Sequence, residues 1–260
     1  MKPIRIFTHA DCEPPGHIAT LLDRRGYPYE QVCLHEGARV PGELDTVSAL
    51  VFMGGPGNVK QPTGWMREEI ALIARAREAG LPMLGICLGG QLMSLALGGD
   101  VRPGDGVEVG WHAVELLDGA RSQPAFAQAP ARFEVFQWHA HVFTAPPGAR
   151  ILATSSCTEC QAYAHGNSLA VQFHLEMTEP VIRDLIERYG SDLRGDSACN
   201  HDAEAILHHV GRRSRRINAL AETIYGAWFD ALAGQPASSG MTTSTRSPPS
   251  AASENERMPP

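Results

Sequence analysis

The sequence predicts an α/β fold, an open and mostly parallel sheet with helices on both faces and a small strand-rich insertion. Three observations carry that expectation. Short apolar runs (Ala49 to Met53, Leu81 to Ile86, Ser168 to His174) alternate with helical segments, and strands apolar on both sides belong in a sheet covered on both faces. A glycine-rich break, Gly54 to Gly57, directly follows the first of those runs, where a parallel sheet presents functional groups at its carboxyl ends. Between Val101 and Val135 the pattern changes to short extended runs separated by Gly and Pro, which is the insertion.

Taken in order, Lys2 to Thr8 alternates as a strand, the polar HADCEPPG stretch is a loop, and Ile18 to Arg25 has helical spacing that stops at Gly26. Tyr29 to Leu34 reads as a second strand and Ala49 to Met53 as a third, ended by Gly54-Gly55-Pro56-Gly57. Trp65 to Ala79 places Met66, Ile70, Ile73 and Ala74 on one helical face and ends at Gly80, before the strand Leu81 to Ile86. After the insertion and the strand Ser168 to His174, Thr178 to Arg188 and Ala203 to Phe229 read as helices. The expected organisation is a main domain over residues 1–190, a helical extension over 191–233 and a disordered tail over 234–260, whose Ser-, Pro- and Thr-rich composition cannot bury a core.

A formal charge of -7 gives no electrostatic reason to expect nucleic acid or an anionic membrane as partner. With no signal-peptide pattern and no long apolar stretch, the expected location is the cytoplasm and the expected partner a small molecule or another protein. Cysteines at 12, 33, 87, 157, 160 and 199 are too scattered to read as a disulfide framework, so free thiols are expected. Cys157 and Cys160 form a single CxxC pair, for which a structural role is expected over a metal or redox one.

Chemistry enters at LPMLGICLGGQLMSLALGG, where an apolar strand runs into Gly85-Ile86-Cys87-Leu88-Gly89 and then a helix. This is the pattern of a nucleophile elbow, in which a strained turn exposes the side chain and small residues two before and two after avoid clashes. The following helix N-terminus favours thiolate at Cys87. A thiol nucleophile also needs a base, and that base needs an acceptor to fix its tautomer. His174 and Glu176, two residues apart at the end of a predicted strand, supply that pair.

GGPG after a strand, GICLGGQ at an elbow and QFHLE after a late strand, in this order, resemble the class I, triad-type glutamine amidotransferase domain over roughly residues 3 to 190. EVGW (Glu108 to Trp111), WHAH (Trp138 to His141) and CTECQAY (Cys157 to Tyr163) resemble its stand-alone, GMP-synthetase-like branch. The resemblance implies a flavodoxin-like sheet and a Cys87-His174-Glu176 triad that passes through a gamma-glutamyl thioester and releases ammonia. It implies an oxyanion hole from the backbone N–H groups of Gly55 and Leu88, and substrate contacts from Gln91, His139, Ala140 and His141. No cofactor or metal is implied; His139 and His141 would need a third ligand to hold an ion, and none is evident. Related chains usually read WHGD where this one reads WHAH, a change that removes a carboxylate from the segment holding the substrate's alpha-amino and carboxylate groups. No synthetase domain is evident, so an acceptor-using synthetase would be a separate protein. Two other readings remain: a hydrolase of gamma-glutamyl conjugates using the same triad, and a catalytically silent binding protein whose contact surface is the basic run Arg212 to Arg216 or the tail.

Overall fold

In the computed structural model the chain is described over residues 2–193 and 197–233; the tail expected from 234 lies outside the described residues. The elements are β1 (Ile4–Thr8), α1 (His17–Arg25), β2 (Tyr29–Cys33), β3 (Ala49–Phe52), α2 (Gly64–Glu78), β4 (Met83–Ile86), α3 (Leu88–Ala96), β5 (Val101–Leu116), β6 (Arg132–Phe143), β7 (Arg150–Ser155), β8 (Ala162–His165), β9 (Ser168–Val171), α4 (Glu179–Tyr189), α5 (Ala203–Leu207) and α6 (Val210–Ala233). They build one nine-stranded sheet in the order β2-β1-β3-β4-β9-β8-β7-β5-β6. The first five strands in that order run parallel, and β8, β7, β5 and β6 continue the sheet antiparallel.

The inner parallel strands β1, β3, β4 and β9 are buried on both faces, and their period of two divides the core. Ile4, Ile6, Val51, Leu84 and Ile86 face a cluster shared with α1, α4 and α6, while Phe7, Leu50, Phe52 and Met83 face α2 and α3. The short strands end in line, so the loops after β1, β3, β4 and β9 converge at one edge. Gly26 closes α1 in the left-handed conformation its missing Cβ allows, at the position the sequence marked.

The structure corrects three expectations. Cys157 is bonded to Cys199 in a disulfide, although the spacing of the cysteines carried no sign of a framework. The reason is tertiary: Val109 N donates to Cys199 O at 2.8 Å and His201 N to Val109 O at 3.0 Å, so the segment beyond 190 lies against β5 and brings the two sulfurs together. The helix read over 203–229 breaks at His208 and His209, where His209 has φ 58°, into α5 and α6. The basic run Arg212 to Arg216, expected as the contact surface of a binding protein, is not wholly available for that either. Arg212, Arg215 and Arg216 are exposed, but Arg213 donates to both Glu134 oxygens, at 3.0 and 2.7 Å, and lies 5.0 Å over the Trp111 ring.

Ile217, Ala221, Ile224, Tyr225 and Phe229 of α6 sit in the same buried cluster as β1 and α1. Asn218 of α6 donates to the carbonyls of Leu175 and Met177, at 2.8 and 3.0 Å, and so fastens the segment that carries Glu176. Phe229 is fully buried, and replacing it with alanine should lower unfolding free energy by about 3–5 kcal/mol, measured by denaturant titration. A cost under about 1 kcal/mol would show that α6 is docked loosely.

Candidate active site

Cys87 ends β4 with φ 50° and ψ -107°; among the described residues only it and His209 have positive φ without being glycine. That region is costly for a side-chain-bearing residue and persists only where the surroundings impose it. Here they do so at both flanks. Cys87 N donates to Val171 O of β9 at 2.8 Å, and Cys87 O accepts from Gln91 N at 3.0 Å, starting α3. A Cβ on Gly85 would lie 2.6 Å from Met93 Sδ and 2.8 Å from Gly89 backbone atoms, and one on Gly89 would collide with Phe52 O. The two glycines flanking the turn are therefore a packing requirement.

His174 lies past the end of β9, not on a continuous strand, and is held by a bridge to Phe136 in which His174 N donates to Phe136 O at 2.8 Å. Its Nδ1 is 2.6 Å from Glu176 Oε1, and both side chains are 1% exposed. Glu176 Oε2 accepts from Leu175 N at 3.0 Å, which fixes the carboxylate. Nδ1–H is thereby committed to Glu176, leaving Nε2 for the sulfur. Burial alone would push the His174 pKa down; the Glu176 charge, with hydrogen bonds to Cys87 and Glu176, holds it well above the ordinary value. Cys87 Sγ also lies 3.6 Å from Gln172 Nε2 and 3.9 Å from Trp138 O.

Gly54 and Gly55 follow β3 beside this pair. A Cβ on Gly55 would stand 2.5 Å from His9 Cβ, and one on Gly54 would stand 2.8 Å from His174 Cε1. The N–H groups of Gly55 and Leu88 donate to no described acceptor, and both residues line the cavity containing Cys87. Beneath them sits a second buried histidine pair that no sequence motif signals. His9 Nδ1 donates to Gly54 O at 3.1 Å, and Nε2 lies 3.0 Å from Glu69 Oε2, with the ring stacked on Trp65. Two acceptors require a hydrogen on each nitrogen, the imidazolium. Burial pulls the His9 pKa down, but the Glu69 charge and these hydrogen bonds leave it raised.

The cavity, of about 330 Å³, is lined by the sequence-predicted Gly55, Cys87, Leu88, Gln91, His139, Ala140 and His141. That volume suits an amino-acid-sized ligand. Gln91 Nε2 donates to His141 O at 2.9 Å, bracing β6 against α3. His139 is buried with Nε2 3.1 Å from Glu108 Oε2, too poorly aligned for a hydrogen bond, and its Nδ1 has no partner among the described residues. Burial pushes the Glu108 pKa up, yet His139 and the Thr158 hydroxyl, 2.7 Å away, bring it below the ordinary value. Glu13, Met177, Leu185 and Tyr189 also line the cavity and were not foreseen, since no motif marks them. Donor atoms of Glu108, His112 and Cys157 lie within 4.8 Å of one another, but the Cys157 sulfur is committed to Cys199. No helix among the described residues is long and apolar enough to cross a membrane.

The model of the glutamine amidotransferase class-I family matches residues 17–184. Glutamine-hydrolyzing GMP synthase of Thermomicrobium roseum is 36% identical over 140 residues, 54% of this chain but 25% of that one, so the match spans a quarter of that relative's length. The glutamine amidotransferase-like protein YfeJ of Salmonella typhimurium is 28% identical over 196 residues, 73% of this chain and 82% of the relative. A solved glutamine amido transferase from Methylobacillus flagellatus superposes with a TM-score of 0.84 at 28% identity, covering 88% of this chain and 95% of that one. The arrangement is the flavodoxin-like α/β fold of those structures.

The His9–Glu69 pair has a pH signature. A histidine whose folded pKa is raised contributes stability that is fully present below its unfolded value, about 6.5, and is lost as pH rises through the folded pKa. Glu69→Gln should therefore cost roughly 3 kcal/mol near pH 6, with the deficit relative to wild type shrinking as pH rises, measured by unfolding across pH. A deficit constant with pH would contradict a charged His9.

Proposed function

Because this chain belongs to the class-I glutamine amidotransferase family, whose model covers most of it, we propose that it hydrolyses the side-chain amide of glutamine or of a related gamma-glutamyl compound and releases ammonia or an amine. The observation that carries this reading is the strained Cys87, which is coupled to the buried His174–Glu176 pair and lines one cavity with Gly55 and Leu88, whose N–H groups meet no acceptor among the described residues.

In the proposed reaction, Cys87 Sγ attacks the amide carbonyl carbon while His174 Nε2 holds the thiol proton. The carbonyl electrons move to oxygen, and the Gly55 and Leu88 N–H groups stabilise that charge where water is excluded. His174 then passes the proton to the nitrogen, the C–N bond breaks and a gamma-glutamyl thioester remains. Water, giving a proton to His174, attacks the thioester carbonyl carbon; the C–S bond breaks, His174 returns the proton to Cys87 Sγ, and the gamma-carboxylate product leaves. Glu176 keeps Nδ1–H donated to itself and stabilises the imidazolium at each transfer, which its 2.6 Å contact supports. Gln91, His139, Ala140 and His141 are proposed to hold the amino-acid end of the substrate.

Within this reading, residues 1–190 form the amidotransferase unit and 191–233 a helical extension that supports it. Any ammonia acceptor is activated by a separate synthetase; a 34% identical relative from Saccharolobus solfataricus, itself one of the subunits of a glutamine-hydrolyzing GMP synthase, supports that arrangement. Hydrolysis of gamma-glutamyl conjugates is the second reading, favoured by Ala140 and His141 standing where the family resemblance implies glycine and aspartate.

Cys87→Ala should abolish ammonia release from L-glutamine, measured with a coupled dehydrogenase. Glu176→Gln should fold normally but lower kcat by roughly 10³- to 10⁴-fold, as expected when the histidine loses its orienting carboxylate. Activity in Cys87→Ala equal to wild type would remove the proposed nucleophile.

A further inference from the structure

Glu13 has no part in the reaction as written, yet its carboxyl is beside the reacting groups. A Cβ at position 54 would sit 2.5 Å from Glu13 Oε2, 2.8 Å from His174 Cε1 and 3.7 Å from Cys87 Cβ, so carboxyl, imidazole and nucleophile surround one point. Among the described residues Glu13 is the one acidic side chain lining the cavity, and its carboxyl makes no hydrogen bond or ion pair with any of them. Glu13 is half-buried and lines the cavity, so a ligand there can reach its carboxyl. Burial, and secondarily the Glu176 charge, raise the Glu13 pKa against the opposing pull of His174 and His9, as for an acid awaiting a partner.

The elements that line the cavity give it two walls. Gln91, Val107, His139 and His141 come from α3, β5 and β6. Glu13, Met177, Leu185 and Tyr189 come from the loop after β1, the segment after Glu176 and α4, and the Tyr189 hydroxyl is 3.7 Å from Cys12 Sγ, next to Glu13. An imidazole that carries a proton from sulfur to the departing nitrogen must face both atoms. Glu13 Oε2 and His174 Cε1 both approach the point beside Gly54, so a nitrogen departing on that side would meet both groups, with the acyl portion toward the other wall. Beyond Glu13 that wall is built by Met177, Leu185 and Tyr189, a mostly apolar surface larger than ammonia needs.

Building on the reading above, we propose that Glu13, Met177, Leu185 and Tyr189 form a leaving-group subsite, in which the Glu13 carboxyl accepts an N–H of the departing nitrogen and the apolar wall receives its substituent. The substrate class is then gamma-glutamyl amides of carbon-bearing amines, with glutamine as the smallest member.

The test uses the full chain, with L-glutamine, gamma-glutamyl methylamide and gamma-glutamyl-leucine as probes and wild type, Glu13→Gln and Glu13→Ala as enzymes. Wild type should cleave gamma-glutamyl-leucine with a higher kcat/KM than glutamine. Glu13→Ala should lower kcat/KM by roughly 10- to 100-fold, the worth of a hydrogen bond to a charged group, with Glu13→Gln retaining part because its amide oxygen still accepts. Alkylation of Cys87 by iodoacetamide, which needs no departing nitrogen, should be unchanged in both variants, as should their thermal unfolding. Wild-type turnover that Glu13→Ala leaves intact would overturn the subsite while the amidohydrolase reading stands, and so would an equal loss of Cys87 alkylation, which marks a structural role. Turnover of glutamine alone would overturn the substrate class, and no turnover of any probe by wild type would overturn the subsite and the reading together.

Discussion

The backbone at Cys87 turns through φ 50°, and the arrangement of the cavity depends on that turn. It exists because β4 must stop and α3 must begin within one residue while Gly89 presses on Phe52 O and Gly85 on Met93. A side chain at Gly85 would force β4 and α3 apart, and one at Gly89 would force α3 away from β3. The same contacts point the sulfur out of the sheet and toward Trp138 O and Gln172, leave the Leu88 N–H without a helical partner, and bring β3, which delivers Gly54 and Gly55, alongside. The energy stored in the turn is held by fully buried neighbours, Phe52, Ile86, Leu92 and Met93, on the two faces of the sheet.

Around this turn the protein keeps two histidine–carboxylate pairs out of water, His174–Glu176 beside the sulfur and His9–Glu69 beneath the glycine loop. Each is costly to bury and is retained by completed hydrogen bonds, Leu175 N to Glu176 and His9 Nδ1 to Gly54 O. Both histidines are biased toward the cationic form, each beside its own carboxylate. In the proposed reaction their position around the glycine loop would favour a developing oxyanion. Helix α6 contributes at a distance, through Asn218, which anchors the carbonyls on either side of Glu176.

Most of the parallel sheet was legible because buried strands and glycine breaks leave local signatures, and Ala49–Phe52, Met83–Ile86 and Ser168–Val171 fall inside the apolar runs. Cys87 was legible for the same reason, since the elbow's glycines are neighbours in sequence. His174 and Glu176 were found as a pair, but their placement past the strand depends on Phe136, which is far away in the chain. His9, Glu69 and Glu13 are distant in sequence from the groups they face and carry no local pattern, and the Cys157–Cys199 disulfide depends on the extension folding back along β5. These are tertiary facts, and periodicity does not report them.

Acid-quenching the protein during exposure to a gamma-glutamyl substrate and mapping the adduct by peptide mass spectrometry tests Cys87 as the nucleophile. A gamma-glutamyl thioester is expected on the peptide containing Cys87, and on no other cysteine peptide. Turnover with an unmodified Cys87, or with the acyl group on another residue, would contradict that role.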